Sequence, residues 1–465
     1  MKIRLIAIVL AAFLAGCQTQ LVSLRQPLIE EGALYLYTRP FPPAAERLSF
    51  TLEGISAVRE DGVEFPVPLA LKEVKPAELT RQRFLGSSTL PPGSYTGLAL
   101  RISHPLLRRE EGSAALQAPE RVTVNAPFTV QKQKALLLSL SFDYDNSIGA
   151  GFRFTPVFTV REPRRPVVGL AGYVTIPEAN AIAIFDKQSA EVAGFIATGK
   201  APRGVIFDQQ RRRAYVALSG DDALQVIDMV TGEEVRRIRL TPGDSPEELA
   251  LSPDGKTLLS VNKGSNTVSF VDPQGYFETG RLAVGDAPSS VLIDPTGQRG
   301  YVFNSFASTM TVLDLARRAV SATVGSAPGD GHGAFSRSGD QLYAAHALSS
   351  YLDVLDPFTL AQQRRYYVGM GVCALKVDQR SGIVYTGRKS DAWVQALEPF
   401  TFNTIATVPL GGSPAYLTID ADENRLYAVN PARRRVQLVN LVSYRLENEL
   451  ELPAPPHRLA LMGER

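Results

Sequence analysis

The feature that most constrains this chain is a period. Residues that open a strand recur at Tyr173, Tyr215, Leu259, Tyr301, Tyr343, Tyr385 and Tyr427, at spacings of 42, 44, 42, 42, 42 and 42. A polar residue closing a later strand recurs at Asp186, Asp228, Asp272, Asp314, Asp356, Glu398 and Asn440, with the same spacings. Two markers that share a period and a two-residue insertion define one structural unit used repeatedly. The insertion falls between Asp228 and Leu259, near Thr241 and Pro242.

Each unit reads as four short strands. Between Arg203 and Leu240, three apolar runs (Gly204 to Asp208, Ala214 to Leu218, Leu224 to Asp228) are separated by polar turns. A fourth stretch, Glu234 to Leu240, alternates in part, as an outer strand wetted on one side does. Four strands in roughly 40 residues is the signature of a propeller blade. The array opens at Tyr173 on the second strand of a unit and ends at Arg458 to Leu461 on a first strand. The C-terminal strand is therefore expected to complete the first unit, closing seven blades and leaving no free edge.

Tyr301-Val302-Phe303-Asn304, Tyr427-Ala428-Val429-Asn430, Thr267 to Asp272 and Asp286-Ala287-Pro288 resemble the YVTN-type β-propeller family. The resemblance covers about Val168 to Gly463 and implies a fold but no shared catalytic set. Ile176, Leu218, His346 and Arg388 stand where the family's namesake strand ends in Asn.

The first residues address the chain. Lys2 and Arg4 precede an apolar run from Ile6 to Leu14, too short to span a ~30 Å hydrocarbon core. Leu14-Ala15-Gly16-Cys17 resembles the lipobox of bacterial lipoproteins. That resemblance implies cleavage between Gly16 and Cys17, lipid on the Cys17 sulfur, acylation of the new amino terminus, and, with Gln18 next, outer-membrane retention. Several acyl chains make such an anchor effectively permanent. The expected organisation is a signal peptide at 1–16, a lipidated tether at 17–27, a first domain at 28–161, a Pro-stiffened linker at 162–167 and the propeller at 168–465.

The first domain has no period. Short β-rich runs such as Leu34 to Tyr37, Leu48 to Leu52 and Tyr95 to Ile102 are set between Pro, Gly and charged turns, and read as an antiparallel β-sandwich. Leu90-Pro91-Pro92-Gly93-Ser94-Tyr95 and the strand after it resemble transthyretin-like and carbohydrate-binding sandwiches. The whole fold class is all-β.

In propellers the first strand of each blade lines the central channel. The entry positions of these strands are Arg203, Glu247, Ser289, Gly331, Cys373, Ala415 and His457. The next positions are Gly204, Glu248, Ser290, His332, Ala374, Tyr416 and Arg458. Otherwise similar repeats diverge here, so Arg203, Glu247, His332, Cys373, Tyr416, His457 and Arg458 form the candidate channel-mouth site for a small polar or anionic ligand. Solvated side chains at a polar mouth are the plainer expectation.

Composition excludes several classes. Forty-nine basic against 47 acidic residues give a net charge of +2, without the basic excess that nucleic-acid binding needs. Two Cys, four His and one Trp leave little for a zinc, haem or quinone site, so no metal, cofactor or catalytic residue is assigned. Cys373 has no basic neighbour in sequence to activate it. The expected function is a lipid-anchored envelope protein that binds a protein or small polar ligand. Two alternatives are an envelope hydrolase or lyase using Glu247, His332 and His457, and a carbohydrate-binding surface protein using Tyr35, Tyr37, Tyr95 and Tyr144. Glu247 or Glu248 within hydrogen-bond reach of a mouth histidine would favour the enzyme.

Overall fold

The computed structural model describes residues 26–110, 112–149, 152–420 and 422–464. Gly16 and Cys17 lie outside the described residues. The fold is all-β: strands are joined by turns and four short 3-10 segments, with no α-helix among the described residues. No described helix is long and apolar enough to cross a membrane.

Residues 171–461 form seven four-stranded antiparallel sheets among the described residues. The second sheet runs Pro202–Asp208, Arg213–Leu218, Ala223–Asp228 and Glu234–Arg239 in spatial order. The third to seventh repeat this order with first strands Pro246–Leu251, Pro288–Ile293, Gly331–Phe335, Val372–Val377 and Tyr416–Asp420. The first sheet is different. Its strands Ala171–Ile176, Ala181–Asp186 and Glu191–Ala197 are joined by the C-terminal Leu459–Leu461. Gly172 pairs with Leu461, and Val174 with Leu459.

Both sequence markers have physical roles. The strand-opening residues are all buried, and two reach across sheets: Tyr215 Oη donates to the Pro273 carbonyl at 2.9 Å, and Tyr301 Oη to that of Pro357 at 2.8 Å. The polar markers are turn acceptors. Asp186, Asp228, Asp356, Glu398 and Asn440 each accept from the backbone N–H groups two and three residues on. A side-chain oxygen is the requirement, so Asp, Glu and Asn all satisfy it. The inserted residues lie in the loop at 240–245, which is longer than the matching loops at 198–201 and 284–287. Asp244 in that loop is fully buried, with Arg281 donating to both its oxygens at 2.7 Å.

Residues 32–161 form two main sheets over one core. The first has the order Val157–Arg161, Ala135–Asp143, Gly32–Thr38, Arg83–Leu90. The second is six-stranded, built around Leu48–Arg59 and Gly93–Arg109. Leu34, Leu36, Phe50, Leu98, Leu138 and Phe142 meet between them. The expected all-antiparallel pairing is corrected: Gly32–Thr38 runs parallel to Ala135–Asp143, and an isolated bridge joins Gln117 and Arg153 in parallel. A parallel pair needs a long crossover, and the six-stranded sheet lies in the chain between the two strands.

Every residue of Gly32–Thr38 is buried, because both faces of this strand are covered. Leu34 and Leu36 face the core just described; Ala33, Tyr35 and Tyr37 face the other way. There they join one apolar cluster with Val174 and Phe195 of the first sheet and Tyr427 and Leu450 of the seventh. Tyr35 stacks on Phe195 at 3.8 Å, and Tyr37 Oη donates to the Glu451 carbonyl at 2.8 Å. The Gln82 amide exchanges two hydrogen bonds with the backbone of Val192, on the outer strand of the first sheet, at 2.8 and 2.9 Å. Arg81 and Arg83 pair with Glu449 and Glu451 on the outer strand of the seventh. The N-terminal unit therefore grips the two sheets that hold the ends of the array.

Candidate functional site

The seven first strands surround a cavity of about 860 Å³, to which every sheet contributes lining residues. Its lining starts at the level of Glu248, Ser290, His332, Ala374, Tyr416 and Arg458, with Ala415 reaching in from the level above. Arg203, Glu247 and His457 stand one residue nearer the strand entrances and do not line it.

The mouth groups pair with one another. Glu247 Oε1 lies 3.8 Å from Arg203 Nη1 and 3.2 Å from His457 Nε2. Burial raises the Glu247 pKa, but His457, Arg203 and Arg458 outweigh it and hold the carboxyl at about 2. Burial takes His457 down to about 4 despite the carboxylate beside it. At neutral pH the pair is a carboxylate and a neutral ring.

One level deeper, the Arg458 guanidinium grips Glu248, with Nε to Oε1 at 3.1 Å and Nη2 to Oε2 at 2.8 Å. It lies over the Tyr416 ring, 5.0 Å from the centroid. Arg458 belongs to the first sheet and Glu248 to the third. Between them the second sheet presents Gly204, where a Cβ would come within 3.0 Å of Glu247 O and Glu248 Cα. Glycine thus allows the close approach of the second and third sheets. Burial opposes the charge of Arg458, yet Glu248, Tyr416 and Glu247 around it raise its pKa above the ordinary value.

His332 faces the same cavity from the fifth sheet. Burial, then the nearby Arg458 charge, lowers its pKa to about 4. His346 is on the neighbouring strand but lines a different cavity, so the two histidines do not converge. Cys373 is half-buried with Sγ 3.1 Å from the Pro414 carbonyl; burial pushes its pKa up, the reverse of an activated thiol. No group of three or more metal-ligating side chains converges among the described residues. Tyr35, Tyr37 and Tyr95 are buried and Tyr144 packs on the N-terminal core, so none offers an exposed ring for a sugar.

Sequence reading missed the far end of the cavity. Lys376 Nζ lies 2.6 Å from Glu464 Oε1, and both line it. A signal was there: Lys376 stands where the other first strands carry Ile206, Ala250, Leu292, Ala334, Thr418 and Ala460. Glu248 carried no repeat signal that named Arg458 as its partner, because they lie 210 residues apart.

Comparison with known proteins agrees with this architecture. Among solved structures, hydrazine synthase from Kuenenia stuttgartiensis matches with a TM-score of 0.51 at 18% identity, over 56% of this chain and 90% of that one. The dihydro-heme d1 dehydrogenase NirN, in complex with DHE, matches with 0.50 at 17%, over 63% and 66%. A functionally unknown protein from Desulfotomaculum acetoxidans matches with 0.55 at 12%, over 63% and 99%. At these identities the likeness is one of fold. No curated protein matches. A family model described as YNCE-like beta-propeller matches residues 180–462, and the chain belongs to that family.

Proposed function

We propose that this chain is a lipid-anchored cell-envelope protein that binds a protein partner or a small polar ligand at the central face of a closed seven-bladed propeller. The pairing of Leu459–Leu461 with Ala171–Ile176 supports the closure, and the two N-terminal sheets over one core support the reading of residues 28–161 as a sandwich. The lipobox-like sequence at Cys17 supports the anchor, with the outer membrane as its place. From Cys17 to Gln26 the chain reaches at most roughly 30 Å. Gln26 lies beside Ala179 and Asn180, on the same face as the strand entrances, and Asn180 Oδ1 accepts from Ala201 N at 2.9 Å. On this reading the tether leaves the molecule on its channel-mouth side.

The observation that carries the binding reading is the prearranged, internally paired charge set around an 860 Å³ cavity: Arg203–Glu247–His457 above, Arg458–Glu248 below. Such a rim offers oriented donors and acceptors without a net field. The 3.2 Å approach of His457 to Glu247 is the geometry an acid–base enzyme would use. Its electrostatics count against that use. A carboxyl at about 2 and histidines at about 4 are weak bases, and none holds a proton to donate at neutral pH.

The test captures partners by crosslinking in intact cells, with the wild type and with Arg203→Ala, Glu247→Ala, His332→Ala and His457→Ala combined. Native mass spectrometry of both purified proteins runs in parallel, and a Cys17→Ser sample reports the anchor. The expected result is a protein or small molecule retained by the wild type and lost from the mouth variant, with Cys17→Ser released from the membrane fraction. The same bound species on both proteins, or none on the wild type, overturns the binding site. Membrane retention of Cys17→Ser overturns the anchor.

A further inference from the structure

The channel-mouth side of the molecule is uneven. Each second strand runs back toward the strand entrances, as the pairing of Pro288 with Asn304 and of Gly331 with His346 shows. The turns after the second strands therefore lie on that side, with the loops that lead into the next sheet. In the first, second, third, sixth and seventh sheets this turn is charged, holding Glu178, Asp222, Lys263, Lys389 and Arg434 in that order. In the fourth and fifth it is Ser305 to Ser308 and Ala347 to Ser350, with no charge. Apolar side chains stand out there instead: Phe306 is 83% exposed and Leu348 61%, and beside them Tyr367 is 73% and Met370 59% exposed.

These tips belong to one patch. Ser305 Oγ donates to Asp330 Oδ1 at 2.7 Å, and Leu348 N to the Pro328 carbonyl at 3.3 Å. The turns carrying Phe306 and Leu348 thus flank a single loop. Val368 N donates to the Ser350 carbonyl at 3.0 Å, which seats the loop carrying Met370 next to Leu348. The Tyr351 and Tyr367 rings meet edge to face at 5.9 Å on the same rim. Charges around the patch cancel, Lys263 and Lys389 against Asp286 and Asp330. The opposite side has exposed Phe358, Phe400 and Val442, but these stand one to a sheet, with Arg299 over Phe358. An exposed apolar patch with a polar rim marks a contact surface.

We propose that this patch docks on a lipid bilayer, with its turn tips in the interfacial region. The choice of occupant rests on the Cys17 anchor proposed above. A tether that reaches at most roughly 30 Å and leaves beside Ala179 and Asn180 keeps the mouth side near the bilayer. It makes even a weak second contact intramolecular. Phe306, Leu348 and Met370 supply apolar area, and the tyrosine pair suits the headgroup boundary. The N-terminal unit packs on the first and seventh sheets and leaves the fourth and fifth uncovered. With the surrounding charges cancelled, docking does not need anionic lipid.

The test uses the lipidated protein in vesicles of phosphatidylethanolamine and phosphatidylglycerol. Trp393→Phe removes the one tryptophan. Phe306→Trp then places a single reporter in the patch, and Phe400→Trp places one on the opposite side. With lipid brominated near the headgroup end of its acyl chains, Phe306→Trp is expected to shift to the blue and lose about half its emission. Phe400→Trp is expected to do neither. Adding Leu348→Asp and Met370→Asp should abolish the quenching of Phe306→Trp while the protein still floats with the vesicles. Phosphatidylcholine vesicles should quench equally. Protein that floats while Phe306→Trp stays unquenched overturns the docking and leaves the anchor standing. Protein that does not float overturns the anchor, and the bilayer as occupant with it. A blue shift without quenching that grows with protein density assigns the patch to a second copy and overturns the proposal as well.

Discussion

The first and fourth sheets have the same four-strand layout and opposite origins. The fourth is built from one continuous stretch, 288–325. The first takes three strands from 171–197 and its innermost from 459–461. A locally built sheet pays little loop-closure entropy; the first sheet forms only when the chain ends meet. The molecule reinforces this expensive sheet. The N-terminal unit packs Tyr35 and Tyr37 against it and against the seventh sheet, and Gln82 pairs with its outer edge. Residues 32–161 are thus part of the architecture at the seam, packed against both sheets that hold the ends of the array.

The largest effect should come from loosening that grip. Tyr35→Ala and Tyr37→Ala each remove a buried aromatic, and each is expected to cost about 3–5 kcal/mol. The double variant should unfold in two steps during denaturant titration, where the wild type unfolds in one. A single step in both would show that the seam does not need the N-terminal unit.

Next is the deep ion pair. Glu248→Ala leaves the Arg458 charge buried and alone, at a cost of about 3–5 kcal/mol. Adding Arg458→Met should recover most of that loss. Urea unfolding of the single and double variants checks it, and an additive loss would mean that the pair contributes nothing as a pair.

A smaller effect is set by pH. His457, His332 and His346 titrate near 6.5 unfolded and near 4 folded, so the unfolded chain takes up protons first as pH falls. Their contribution is complete above about 6.5 and is lost progressively toward 4; that of Glu247 is lost between its unfolded 4.5 and about 2. His346→Asn should flatten the stability profile between pH 6.5 and 4 by about 1–3 kcal/mol. Urea unfolding across that range checks the slope.

The smallest change tests the repeat marker itself. Tyr301→Phe removes one inter-sheet hydrogen bond to Pro357 and should cost about 1 kcal/mol without altering the fold.

What the sequence made legible follows from how each residue works. Tyr173 to Tyr427 and Asp186 to Asn440 repeat because each solves a local problem, a buried wedge or a turn acceptor, once per sheet. Their period therefore reveals the array. The parallel pairing of Gly32–Thr38 with Ala135–Asp143 was not legible, since alternation reports which face is buried and not strand direction. The mouth residues were legible as outliers among similar strands, but their pairings were not. Arg458 reaches Glu248 across an intervening sheet, a contact that no spacing rule encodes.

Closure by the C-terminal strand is tested most directly by hydrogen exchange, sheet by sheet, on the full chain and on one ending at Pro453. Losing Leu459–Leu461 is expected to lower protection throughout, including the fourth sheet on the far side from the seam. Loss confined to the first sheet and its N-terminal partner would contradict it.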